Sequence, residues 1–113
     1  MQLVVNGVAA AARDVPADDQ VHEIEFQTNI DRSSWVALRH FPQLHTNPVN
    51  VIVEGKPIRA SRKSAQWCAA TIEQLWRVRN GNIVKEERAE AERTFQKAIE
   101  AYRKIAADCP EGS

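Results

Sequence analysis

The side chains most able to exchange protons near neutral pH are the three histidines, His22, His40 and His45. A catalytic zinc usually takes three protein ligands, and the specific helical form of such a site is His-Glu-x-x-His. Nothing of that form occurs here. His22 and His40 fall in strand-like stretches and His45 in a loop, so their spacing encodes no convergence. The simpler reading is surface or hydrogen-bonded histidines. A Gly-x-Ser-x-Gly elbow is also missing, so Ser33, Ser34, Ser61 and Ser64 read as turn and cap residues. Four scattered glycines cannot form a phosphate loop. The two cysteines, Cys68 and Cys109, form neither a Cys-x-x-Cys pair nor a Cys–His set. No catalytic residue, no metal ligand and no cofactor is assigned on these grounds.

Three features carry more information. Phe41-Pro42-Gln43-Leu44-His45-Thr46-Asn47-Pro48 reads as a loop between two buried strands, stiffened by two prolines. His45, Thr46 and Asn47 present donors and acceptors together there, as binding loops do. The competing reading is plain turn chemistry, with Asn47 held extended before Pro48. Trp67 is the second feature, because it lies off the apolar stripe of its helix while Trp35 and Trp76 lie in core positions. The third is Lys56, Arg59, Arg62 and Lys63 around the start of the first helix. Cations there oppose the helix dipole. They could instead help the free N–H groups bind an anion, or form a solvated basic patch.

The elements that would position these residues divide at about position 60. Before it, the chain punctuates like strands. Leu3-Val4-Val5 and Val8 to Val15 flank Asn6-Gly7, the strongest short hairpin signal, because both turn residues need positive φ. His22, Ile24 and Phe26 alternate with Glu23, Glu25 and Gln27, a period of two that predicts a half-buried strand. Trp35 to Arg39 reads as a more buried strand and Val49 to Val53 as another. Glu54-Gly55-Lys56 is a turn, and Pro57-Ile58 begins a short edge segment. Five short strands at close spacing predict an antiparallel, Ig-like or sandwich-like sheet.

After position 60 the period becomes helical. Ser61 caps a helix to about Arg79, stopped by Asn80-Gly81. Ala65, Cys68, Ala69, Ile72, Leu75 and Trp76 share one face, with Trp67 and Val78 near the opposite one. A helix apolar on two sides predicts cover on two sides. A second helix from about Ile83 to Ala107 carries a heptad seam of Val84, Ala91, Phe95, Ala98, Tyr102 and Ile105, broken by Arg88. Glu86 and Glu87 open that helix, and Arg103 and Lys104 sit in its expected last turn, matching the dipole. Glu100 and Lys104 add an i,i+4 pair. The seam could serve a coiled-coil dimer, but the short Asn80-Gly81-Asn82 link favours an antiparallel hairpin. Reflection about that link sets Cys68 opposite position 94 and Cys109 ~22 Å beyond it, too far for a disulfide.

Composition bounds the rest. The chain has 113 residues, 43% hydrophobic and 27% charged, an ordinary globular balance that speaks against disorder. Lys plus Arg equals Asp plus Glu at 15 each. A neutral chain has no broad positive field for a nucleic-acid backbone. No apolar run approaches the ~20 residues that span a bilayer. Met1 leads straight into an alternating apolar segment, with no signal peptide, which reads as a fragment entered mid-strand. No residue assigns a compartment.

The stretch Ser33-Ser34-Trp35-Val36-Ala37-Leu38-Arg39, then His45-Thr46-Asn47-Pro48-Val49, then Glu54-Gly55-Lys56-Pro57-Ile58-Arg59-Ala60-Ser61 resembles the C-terminal region of PHP-type metallohydrolases of the CehA/McbA group. The tail Ser64-Ala65-Gln66-Trp67-Cys68 and its helical continuation extend the resemblance over about residues 30 to 107. In that family a distorted α/β barrel, N-terminal to this region, holds metal ions with clustered His and Asp. No His-x-His motif occurs here to receive those roles. The resemblance therefore implies an accessory module whose partner is an upstream catalytic domain of the same chain.

These readings combine into an α+β module: a β-sheet subdomain over 1–60 and a helical hairpin over 61–113 packed on it. The leading function is a non-catalytic structural or interaction module of a metal-dependent hydrolase, with Trp67 or the 41–48 loop as contact. The competitor is an independent binding module for carbohydrate or a cell-surface ligand, an expectation from fold analogy. A small metalloenzyme using the three histidines ranks behind both.

Overall fold

Asn6 and Gly7 adopt φ values of 50° and 88°, the left-handed conformation that a two-residue hairpin turn demands. In the computed structural model, which describes all residues from Met1 to Ser113, they join β1 (Gln2–Val5) to β2 (Val8–Ala12). The chain then returns as β3 (Ser34–His40), antiparallel to β1, with Leu3 opposite Leu38. Two short strands share the far edge of β3. β4 (Leu44–His45) pairs with Arg39 and His40, and β5 (Val49–Val51) with Ser34 to Val36. Leu3 and Val4, on the strand between β2 and β3, are the buried apolar residues of the sheet.

Side-chain hydrogen bonds lock the turns to β3. The Asn6 side-chain carbonyl accepts from the Trp35 N–H at 3.0 Å, and its amide donates to Ser34 Oγ at 3.1 Å. Ser34 Oγ in turn donates to the Arg32 carbonyl at 2.8 Å. Ser33 Oγ accepts from the Val53 N–H at 2.8 Å and donates to the Lys56 carbonyl at 2.5 Å. Both serines are buried, so these bonds satisfy groups that water cannot reach. The turn they hold has Glu54 and Gly55 at φ 54° and 68°.

Three strand expectations meet corrections. His22 to Gln27 joins no ladder, although Ile24 and Phe26 are half-buried and Glu23, Glu25 and Gln27 exposed. The alternation marked one-sided burial, and burial does not require strand pairing. Pro57-Ile58 forms no edge strand, and the 41–48 loop contains β4.

Residues Met1–Ile58 and Arg59–Ser113 form two compact units. In the second, Ser61 Oγ accepts from the Ser64 N–H and caps α1 (Arg62–Arg79). A 3-10 turn at Asn80–Asn82 and the extended Ile83-Val84 pair lead to α2 (Lys85–Asp108). The helices are antiparallel: Arg62 donates to the Cys109 carbonyl at 2.8 Å, Glu73 accepts from Arg103, and the Trp76 and Phe95 rings meet tilted, with centroids 5.1 Å apart. Ala65, Ala69, Ile99, Ala106 and Cys109 are buried between such contacts. Small alanines on facing positions let the helix axes approach closely.

The seam of α2 follows the expected heptad from Ala91 to Ile105, half-buried at each of its positions, and burial is deepest beside it. Ile99 and Ala106 are buried, while Ala98, Tyr102 and Ile105 are half-buried and Val84 lies exposed ahead of the helix. The helix also runs past Arg103 and Lys104 to Asp108, so its last turn carries no base. Arg103 bonds Glu73 across the hairpin instead. The register fixed by Arg62 with Cys109, Glu73 with Arg103 and Trp76 with Phe95 sets Cys68 opposite the last turns of α2 rather than position 94. Both thiols are nonetheless free, Cys109 buried and Cys68 half-buried.

Candidate functional site

Helix α1 places its residues at about 100° intervals. Ala65, Ala69 and Trp76 point to α2, which turns Trp67 and Val78 to the opposite side. Trp67 is 69% exposed and Val78 60%. Leu75, expected on the inner stripe, is 48% exposed and borders the same outer face. The reason lies in the contact: the stripe that meets α2 is narrow and alanine-rich, so a residue on its flank stays open. Thr71, between Trp67 and Val78, spends its hydroxyl on the Trp67 carbonyl at 2.8 Å. The outer face of α2 differs in kind, with Glu86, Glu90, Arg93, Lys97, Glu100 and Lys104 all exposed. One helix of the hairpin is solvated and the other carries an uncovered indole and two aliphatic side chains.

Basic residues flank that apolar face. Lys63 stands near its start, and Arg77 and Arg79 close it, all exposed. Glu73 is the sole acidic residue of α1 and is bonded to Arg103. Exposed Thr71 and Gln74 lie between Trp67 and Val78; apolar anchors with polar and charged residues around them are the arrangement of protein contact surfaces.

The basic group around the helix start is arranged otherwise than an anion site requires. The first N–H groups of α1 already have acceptors: Ser113 Oγ takes Arg62 N–H at 3.0 Å, the Ser113 carbonyl takes Lys63 N–H at 3.0 Å, and Ser61 takes Ser64 N–H. Lys56 pairs with Glu54 at 2.7 Å and Arg59 with Asp108 at 3.6 Å. Arg62 bonds the Cys109 carbonyl. Only Lys63 projects freely into solvent among charges otherwise engaged with the chain itself. The capping role of Ser113 had no signal in local spacing, because it reaches across some fifty positions of sequence.

The 41–48 segment is a tight reversal. His45 lies in β4 opposite Arg39, with its Nδ1 at 3.1 Å from the Thr46 carbonyl. Thr46 extends the ladder: its N–H donates to the Leu38 carbonyl at 2.9 Å and its Oγ1 accepts from the Leu38 N–H at 3.0 Å. Asn47 is exposed. Thr46 thus serves the sheet, and His45 and Asn47 remain outward. The exposed Phe41, Leu44 and Val49 add apolar surface at this end. Phe41 lies under the Arg39 guanidinium at 5.9 Å.

The three histidines stay apart in their partners. His22 bonds Asp18 at 2.8 Å, His40 contacts Gln43 Oε1 at 3.0 Å, and His45 contacts the carbonyl of the neighbouring Thr46. No three His, Cys, Asp or Glu side chains gather as a metal-binding group. The His22 bond, followed by the Gln20 N–H, holds the Asp18 carboxyl below its usual range. No helix is long and apolar enough to cross a membrane. The chain matches no protein-family model, no curated protein and no solved structure.

Proposed function

We propose that this chain is a non-catalytic interaction module that docks on a catalytic domain of the PHP-type metal-dependent hydrolase class through the outer face of α1. The observation that carries the reading is the exposure of Trp67, Leu75 and Val78 on one helix, while the outer face of its neighbour carries charged side chains. Tryptophan is the residue most enriched at the energetic centre of interfaces, and leaving it in water forgoes its burial. The partner class rests on the ordered motifs around Ser33-Ser34-Trp35, His45-Thr46-Asn47-Pro48 and Glu54-Gly55-Lys56-Pro57-Ile58. Their hydrogen bonds give those residues structural work: Ser33 of the first motif holds Val53 and Lys56 at the third.

The carbohydrate reading would want two exposed rings beside one groove. Trp67 is the exposed ring of Arg59–Ser113 and Phe41 that of Met1–Ile58, while Trp35, Trp76, Phe95 and Tyr102 are half-buried. No pair of open rings shares a surface within either unit.

The test is calorimetric titration of the chain with a separately expressed PHP-type catalytic domain. Trp67→Glu should weaken binding at least tenfold, as loss of a central aromatic anchor does. Equal binding by wild type and Trp67→Glu would sink the assignment of this face.

A further inference from the structure

β2 ends the sheet with an open edge. It pairs with β1 alone, and four of its five residues are exposed. Met1 and Arg13 exchange both backbone hydrogen bonds, at 2.8 and 2.9 Å. Bonded and non-bonded pairs alternate along an antiparallel ladder. Ala12, opposite Gln2, therefore turns its N–H and C=O away from β1. Edges are usually blunted by lysine, proline, an inward charge or a bulge; of these Val8-Ala9-Ala10-Ala11-Ala12 carries only a bulge. One irregularity at Ala10 bends the strand but leaves Ala11 and Ala12 in register with β1.

A cleft of about 710 Å³ opens beside this stretch. Ala11, Ala12 and Arg13 line it from the strand, and Glu23, Glu25 and Phe26 from the segment that follows. The methyl side chains of the alanines leave room for a second backbone to approach. The Arg13 guanidinium is drawn over the Phe26 ring at 6.0 Å. Between Asp14 and Glu25 the chain carries five carboxylates and no lysine or arginine. Of the charged side chains that line the cleft, Glu23 and Glu25 are acidic and Arg13, drawn to Phe26, is basic, and beside them Ala12 offers an N–H and a C=O that no strand pairs.

We propose that this edge receives an extended basic peptide as an added strand. The peptide backbone pairs with the outward N–H and C=O of Ala12, and alternate side chains face opposite sides of the sheet. Lysines or arginines at every second position then meet Glu23 and Glu25. This site lies within Met1–Ile58 and is independent of the helix face assigned above.

The experiment is an amide NMR titration of the full chain with an acetylated, amidated heptapeptide alternating Lys with Thr and Val. Saturable shifts should centre on Ala11, Ala12, Glu23 and Glu25, and hydrogen exchange at Ala12 should slow at least tenfold. The same peptide with Glu in place of Lys should not bind, and raising salt should weaken the Lys peptide several-fold. Ala12→Pro removes the outward donor without touching the β1 ladder, a substitution that edge strands tolerate, and should abolish the shifts. Glu23→Gln with Glu25→Gln, a second variant that leaves the backbone alone, should weaken binding at least fivefold. No saturable response in the wild-type chain, shifts confined to α1, or binding unchanged in both variants would overturn the proposal. Concentration-dependent protection of Ala12 without peptide would also overturn it, by showing the edge taken by a second copy.

Discussion

Replacing Ser33 with alanine should loosen the sheet without disturbing the helical unit. Ser33 is 3% exposed, and its hydroxyl makes the bonds that the substitution removes. It accepts from the Val53 N–H at 2.8 Å and donates to the Lys56 carbonyl at 2.5 Å, with the Val53 carbonyl at 3.3 Å as the longer alternative. Alanine removes the hydroxyl and leaves the Val53 N–H without that acceptor near a buried position. Orphaning a buried backbone group costs about 1–3 kcal/mol. Converted at 1.4 kcal/mol per tenfold, the opening equilibrium of the sheet should shift by roughly 5- to 150-fold. Hydrogen exchange reads this residue by residue. The amides of β1 and β3 that need unit opening to exchange should speed up by that factor, while those of α2 should not change. Ser33→Thr, which keeps the hydroxyl, should recover most of the protection. Exchange of β3 unchanged in Ser33→Ala would refute the claim that this hydroxyl ties β3 to the turn at Glu54-Gly55.

Other consequences follow from the same geometry. Ile99→Ala empties a position that is 2% exposed and should cost about 2–5 kcal/mol in the helical unit by urea unfolding. Ser61→Ala removes the side-chain acceptor for the Ser64 N–H and should destabilise α1 by about 0.5–2 kcal/mol. The Asp18 carboxyl is held below its usual range, first by His22. A depressed folded-state pKa means that the charged form is favoured by folding, so this contribution is present at neutral pH and is lost as pH falls through the lowered pKa. In His22→Ala the Asp18 carboxyl ¹³C titration should move to higher pH, and an unmoved midpoint would remove His22 as the cause.

Much of this architecture was written in local chemistry. Asn6-Gly7 was legible because few other pairs accept positive φ twice in succession. Ser61 and the helical spacing beyond it marked α1 to within a residue, since a cap is a local bond. The α2 seam was legible from Ala91 to Ile105, but the deeper burial of Ile99 and Ala106 beside it was not, because only the partner helix decides where along the stripe the contact centres. His22 to Gln27 shows the limit of period two: alternation reports which side chains are buried, and the ladder depends on a neighbour that the segment does not name. Ser113 at the start of α1 was invisible for the same reason, as a contact between distant positions. At the candidate site, Trp67 was found from its angle on the helix wheel. Leu75 was not, because the width of the contact stripe depends on how closely the alanines let α2 approach. The basic group at the helix start could be listed from sequence, but its occupation by Ser113, Glu54 and Asp108 could not.

The central claim is that the outer face of α1 is a docking surface, and one titration addresses it most directly. The ¹⁵N-labelled chain is titrated with a separately expressed PHP-type catalytic domain while the Trp67 indole N–H and the Leu75 and Val78 amides are followed. The account predicts saturable shifts or broadening centred on those three residues, with the α2 face of Glu90, Lys97 and Lys104 unmoved. Perturbation that bypasses Trp67, or none at all at concentrations well above micromolar, would contradict it.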